Sequence, residues 1–189
     1  MAQTAVPAMA ARYADIGGHW SEQFVELLSS KGIINGDNYG NFRPDDYVKA
    51  DEFIKLVLAA SGFEAKAYSG YWATPYIDEA KKRELVYDDE FQNFQKPITR
   101  GEAARIMVRA LGWEDMNVPN SSSVIKEITD YYDTLNDYKE YILIAYANNL
   151  MKGYEDNSFR YTKPITRGES AVVVTRMLKI KPLDGDTPP

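Results

Sequence analysis

Hydrophobic and polar positions follow one plan three times over: a run at helical spacing, a turn-rich interval, then a second helical run. The first run is apolar at Trp20, Phe24, Leu27 and Leu28, has Ser21 near its start, and stops at Gly32. Gly36, Gly40 and Pro44 then mark a turn region with a short extended piece expected on each side. The second run, over 48–60, turns Phe53, Ile54, Val57 and Leu58 inward and ends before Gly62. The plan returns with helices over 75–83 and 100–111, separated by a turn that has no glycine. It returns again with helices over 138–148 and 167–179 around Gly153. A helix-loop-helix unit of roughly fifty residues cannot bury both of its helices alone, whereas three together can. The pattern therefore predicts a mainly α chain, with the three second helices as a central bundle and grooves between neighbouring units.

Two second helices open on the same five residues. Ile98-Thr99-Arg100-Gly101-Glu102 returns letter for letter as Ile165-Thr166-Arg167-Gly168-Glu169. Thr three residues before Glu is a capping box, which starts a helix. Capping does not account for the arginine, which sits where the helix dipole is already positive. An arginine beside unsatisfied helix-start amides is a seat for an anion, most naturally a carboxylate or phosphate, so Arg100 and Arg167 are the leading binding candidates. The plainer reading is a solvated helix-start cation or an inter-repeat salt bridge.

The interval over 113–127, with Pro119-Asn120-Ser121-Ser122-Ser123, reads as a polar linker inserted before the third unit. The predicted organisation is a lead-in at 1–12, repeats at 13–63, 64–112 and 128–180, that insertion, and a C-terminal linker at 181–189.

Composition narrows the chemistry. The 189 residues are 44% hydrophobic and 26% charged, as in soluble globular proteins. A formal charge of −6 argues against nucleic acid, so any anion site has to be local. No apolar run approaches a membrane span, and the first residues lack a signal peptide's basic and apolar regions. They read as a mature N-terminus. Without cysteine and with a single histidine, His19, no zinc or disulfide framework is expected. His19 reads as a groove-rim or surface residue. The interval starting at Asp37 fails as a calcium loop, having Phe42 and Val48 where Gly and Glu are required. No nucleotide or hydrolase fingerprint is present, and capping glutamates on separate helices are a poor source of a glycosidase pair. No cofactor, metal or catalytic residue is expected.

Several further motifs carry a specific resemblance. Tyr13-Ala14-Asp15, Trp20, Gly32-Ile33-Ile34-Asn35-Gly36, Gly40-Asn41-Phe42-Arg43-Pro44 and the two Ile-Thr-Arg-Gly-Glu copies together resemble the S-layer homology domain, over roughly 13–180. The resemblance implies three repeats in a pseudo-threefold trimer around a central three-helix bundle. It also implies a non-enzymatic anchor outside the bacterial cell, binding secondary cell-wall polysaccharide through pyruvylated N-acetylmannosamine in the inter-repeat grooves. On that pattern Arg100 and Arg167 meet the pyruvyl carboxylate, and other S-layer subunits are possible partners through a region beyond this chain.

The first repeat departs from the motif, having Val48-Lys49-Ala50-Asp51-Glu52. Lys49 could stand in as a point charge without the planar fork of arginine, so at most two grooves are expected to bind. Around the arginines, Trp20 and Trp72 are either sugar-stacking platforms or core. Asp15 and Asp130 either cap and turn the chain or accept from sugar hydroxyls, with Asp133 as an alternative alignment to Asp130. Gly36 and Gly153 satisfy backbone geometry or let a ligand approach, and Lys152 adds charge to a groove or is merely exposed. A rival reading of the same grooves is a protein-interaction module for acidic peptides.

Overall fold

The computed structural model describes residues 13–180; the lead-in and linker expected at 1–12 and 181–189 lie outside them. Among the described residues there are seven helices and no strand: α1 (Glu22–Ser30), α2 (Ala50–Ala60), α3 (Thr74–Lys82), α4 (Arg100–Ala110), α5 (Ser121–Glu127), α6 (Asn136–Ala147) and α7 (Arg167–Ile180). Six of these are the helix pairs of the three units. The seventh, α5, forms where a polar linker was expected. Its serines hide the helix in the sequence, but Ile125 packs against the core and the helix rests on α6. Tertiary contact decides the conformation here, since so short a helix is not stable alone.

The helix pairing runs across units. α1 packs on α7, α3 on α2, and α6 on α4, while α2 touches both α4 and α7. Each unit's first helix thus finds its main partner in the second helix of the preceding unit, and the first unit reaches round to the third. One apolar cluster, including Phe42, Phe53, Ile106, Met107 and Phe159, spans all three.

The residues just ahead of α2, α4 and α7 close a ring. Val48 N–H donates to the Ile165 carbonyl at 3.1 Å, Ile165 N–H to Ile98 at 3.1 Å, and Ile98 N–H to Val48 at 3.0 Å. The extended pieces expected near the turns amount to isolated bridges in this region, such as Tyr47 with Thr166 and Thr99 with Pro164. All three segments are buried at this point, and the ring satisfies donors and acceptors that would otherwise be left without partners.

Both capping boxes form. Thr99 N–H donates to Glu102 Oε2 at 2.7 Å and Glu102 N–H to Thr99 Oγ1 at 3.3 Å; the Thr166–Glu169 pair repeats this at 2.8 and 3.1 Å. In the first unit only half survives, Lys49 N–H to Glu52 Oε2, because an ammonium cannot accept the return bond. Ser21 does not cap α1. Its hydroxyl is fully buried, bonded to His19 Nδ1 at 2.8 Å, and a Cβ added at Gly168 would come within 3.0 Å of it.

Candidate functional site

The helix-start amides are not free. Arg100 N–H donates to the Lys163 carbonyl and Gly101 N–H to Tyr161; Arg167 N–H donates to Asp46 and Gly168 N–H to Pro44. A loop of the neighbouring unit occupies each helix start, which corrects the expected seat of backbone amides. The motif glycine is explained by the same approach, since a Cβ on Gly168 would lie 3.1 Å from the Pro44 carbonyl oxygen.

The motif arginines reach into the loop of the next unit. Arg100 Nε donates to the Phe159 carbonyl at 2.7 Å and Nη2 to Lys152 at 2.6 Å, with the guanidinium over the rings of Tyr154 and Phe159. Arg167 Nε donates to the Phe42 carbonyl at 2.8 Å, and its guanidinium lies over the Phe42 ring. Each arginine therefore pins two repeats together, and its remaining edge meets a carboxylate of another unit at the groove wall: Arg167 Nη1 donates to Glu52 Oε1 at 3.4 Å, and Arg100 Nη1 lies 3.9 Å from Glu169 Oε1, so the inter-repeat salt bridge is present beside any binding role. Neither Asp15 nor Asp130 lines these grooves. Asp15 holds the Phe42 and Arg43 amides at 2.8 and 2.6 Å, and Asp130 holds the Phe159 and Arg160 amides, both at 2.7 Å. Their carboxylates fasten the loop carrying the arginine's acceptor, past residues with positive φ, Arg43 and Arg160. That geometry selects Asp130 over Asp133 as the counterpart of Asp15.

Groove I, of about 250 Å³, lies between the first loop, α2 and α3, and brings Gly36, Lys55, Trp72, Tyr76 and Arg167 together. Groove II, of about 230 Å³, lies between the third loop, α7 and the start of α1, and gathers Trp20, Arg100, Lys152, Gly153 and Arg176. Trp20 and Trp72 are 55% and 47% exposed, so they are groove walls rather than core. A third groove lies beside α4 and α6, lined by Tyr87, Glu90, Arg105, Arg109 and Tyr141 among others. Lys49 lines none of them. It occupies the N-cap of α2 as an exposed residue, and the buried Ala50 stands where the other two units have arginine.

Charge separates the grooves. Groove I holds Arg43, Lys55 and Arg167 against Asp37 and Glu52. Groove II holds Arg100, Lys152 and Arg176 against Glu169 alone. Groove III reverses the balance, with Arg105 and Arg109 facing Asp89, Glu90, Glu114, Asp137 and Glu140. Its arginines share one carboxylate at closer range than the motif arginines have theirs: Glu90 lies 3.2 Å from Arg105 Nε and 2.8 Å from Arg109 Nη1. Burial opposes the charge on Arg109, but hydrogen bonds to Glu90 and Tyr141 raise its pKa. In the other two grooves the shifts run downward. Burial and then the neighbouring Arg167 lower the Lys55 pKa, and burial followed by Arg100 lowers that of Arg176. Two cations crowd each of these grooves without enough carboxylate between them, which favours an incoming anion.

Lys55 and Arg176 were not singled out in the sequence. The available signal was a single cation inside a largely apolar helical run, Lys55 within 53–60 and Arg176 within 171–178. Among the described residues no helix is long and apolar enough to cross a membrane, and no group of three or more His, Cys, Asp or Glu could hold a metal ion.

The S-layer homology domain family matches the chain three times, at residues 12–54, 65–104 and 127–171. A surface-layer 125 kDa protein of Lysinibacillus sphaericus is 31% identical over 173 residues, covering 85% of this chain and 14% of that protein. A surface layer protein of Brevibacillus choshinensis is 29% identical over 107 residues, covering 49% of this chain and 10% of its own length. The exoglucanase XynX of Acetivibrio thermocellus is 24% identical over 181 residues, covering 88% of this chain and 16% of the enzyme. The chain thus spans a small fraction of each relative's length, and proteins with quite different names share the same stretch. On these matches and this fold, the chain belongs to the S-layer homology domain family, as three tandem copies of a non-catalytic module that anchors proteins at the bacterial cell wall.

Proposed function

We propose that grooves I and II each clamp a carboxylate-bearing sugar of a secondary cell-wall polysaccharide, and that pyruvylated N-acetylmannosamine is that sugar. The observation that carries this reading is the local excess of cations in two grooves of a chain whose net charge is −6. In groove I, Arg167 and Lys55 face the carboxylate and Trp72 offers its ring to the sugar face. In groove II, Arg100 and Arg176 take the first role and Trp20 the second. Gly36 and Gly153 line the grooves but are required by packing, since a Cβ on Gly36 would meet the Tyr13 ring and lie 2.6 Å from the Asn41 carbonyl oxygen and one on Gly153 would lie 3.1 Å from that of Ser158; Lys152 adds charge at the edge of groove II. Groove III, neutralised by Glu90 and lacking the motif arginine, does not bind. The module would hold a larger surface protein on the outside of the wall.

The carboxylate is tested by titrating the chain with the pyruvylated sugar and with its pyruvate-free twin. Charge-assisted hydrogen bonds are worth about 1.5–3 kcal/mol each, so the twin should bind at least about tenfold more weakly. The affinity should also fall as salt rises, because the groove mouths are open to solvent. Equal binding of the twins would overturn the clamp, and binding of acidic peptides with no binding of either sugar would favour a protein-interaction module.

A further inference from the structure

The second helix of the first unit departs from the motif at the glycine as well as at the arginine: Asp51 stands where α4 and α7 have Gly101 and Gly168. Its backbone does what the glycines do, donating to a neighbouring loop at the Phe94 carbonyl, 2.9 Å away. Its side chain belongs to a residue only 2% exposed, and a carboxylate buried to that degree needs partners. It has two. Oδ1 accepts from the Glu52 amide at 2.7 Å, the bond that Lys49 cannot take and that threonine makes in the other two units. Oδ2 accepts from the Tyr71 hydroxyl, across the junction from α2 to the entry of α3. Burial, followed by that bond, pushes the Tyr71 pKa up to about 12, so the hydroxyl remains a donor at neutral pH. Helix capping accounts for one carboxylate oxygen and leaves the other to be explained.

Tyr71 immediately precedes Trp72, a wall of groove I. The Trp72 ring is edge-on to both Tyr71 and Tyr76, with centroids 6.0 and 6.3 Å away, and Tyr76 is in turn edge-on to Phe63 at 5.8 Å. Tyr76 thus has an apolar anchor, and Tyr71 has Asp51. Groove II repeats the order of parts with a different fastening. His19 precedes Trp20, with ring centroids 5.1 Å apart, and its nitrogens meet the Ser21 hydroxyl at 2.8 Å and Asp45 at 3.3 Å. At the N-cap of α3 the place of Ser21 is taken by Ala73, which has no hydroxyl to offer.

We infer that Asp51 and Tyr71 are positioning residues of groove I, the carboxylate holding the phenol and the phenol fixing the face that Trp72 turns to the sugar. The inference rests on the proposed clamp, and it confines the effect of both residues to one groove of the two.

The test titrates the chain with pyruvylated N-acetylmannosamine and follows the backbone amides of Gly36 and Gly153 by NMR, so that each groove reports its own affinity. Tyr71→Phe removes the hydroxyl and keeps the ring. Asp51→Asn keeps both bonds, its oxygen accepting from the Glu52 amide and its NH2 donating to the Tyr71 oxygen. Tyr71→Phe should weaken groove I by about threefold to tenfold, the worth of one hydrogen bond, and leave groove II unchanged. Asp51→Asn should bind at both grooves as the native chain does. On a Trp72→Ala background, Tyr71→Phe should cost groove I nothing further, because the phenol acts through the indole. An unchanged groove I in Tyr71→Phe, equal weakening of both grooves, or a further loss on the Trp72→Ala background overturns the positioning role while leaving the clamp in place. Absence of sugar binding to the native chain overturns the clamp, and the positioning role with it.

Discussion

A buried arginine in this molecule is decided by what carboxylate it meets. Arg105 and Arg109 face Glu90, whose own carboxylate also accepts from the Tyr87 amide at 2.9 Å. Replacing Glu90 by alanine strands two buried cations, and removal of one partner from a buried pair costs on the order of 3–5 kcal/mol. Because Arg109 keeps Glu114 and the Tyr141 hydroxyl, the loss should fall at the low end, about 3 kcal/mol by urea unfolding. A loss below about 1 kcal/mol would mean that Glu90 does not neutralise groove III. Residue by residue, the site was partly legible. Arg100 and Arg167 stood out because they break the dipole rule within a local motif. Asp15 and Asp130 stayed open between two roles because a carboxylate ahead of a helix reads the same whether it awaits a sugar or, as here, holds two backbone amides. Lys55 and Arg176 escaped notice because a helix-interior cation gains meaning only once its cross-repeat neighbour is known.

Among the elements, helices with local signals could be read from the sequence, whereas which helix packs on which could not. The Thr99 and Thr166 capping boxes sit within four residues of sequence and declare themselves. That α1 belongs against α7, and α6 against α4, is absent from any period, because periodicity says which face is apolar and nothing about its partner. The same gap hid the loops that take the helix-start amides, and with them the reason for Gly101 and Gly168. Cross-unit pairing has a direct consequence. A fragment of residues 13–112 keeps α1 without α7 and α4 without α6, leaving apolar faces of both uncovered. It should show no cooperative thermal transition, whereas the full chain should unfold in one, with calorimetric and van't Hoff enthalpies agreeing. Cooperative melting of the fragment would contradict the pairing as the source of stability.

At the scale of the whole molecule, three related units meet at three junctions that differ in their balance of cations and carboxylates. Groove III is neutralised from within by Glu90, while grooves I and II keep more cations than the chain supplies carboxylates for. On the proposed reading, two basic grooves let a chain of net charge −6 attract an acidic polymer locally. Lys55 and Arg176 are the better probes of this division, because Arg100 and Arg167 also pin loops and their loss would disturb the fold. The most direct measurement is the number of pyruvylated N-acetylmannosamine molecules bound per chain, by calorimetry, in the native protein and in the Lys55→Ala and Arg176→Ala variants. The account predicts two, falling to one in each single variant and to none in the double. Three sites in the native chain, or two surviving in either single variant, would contradict it.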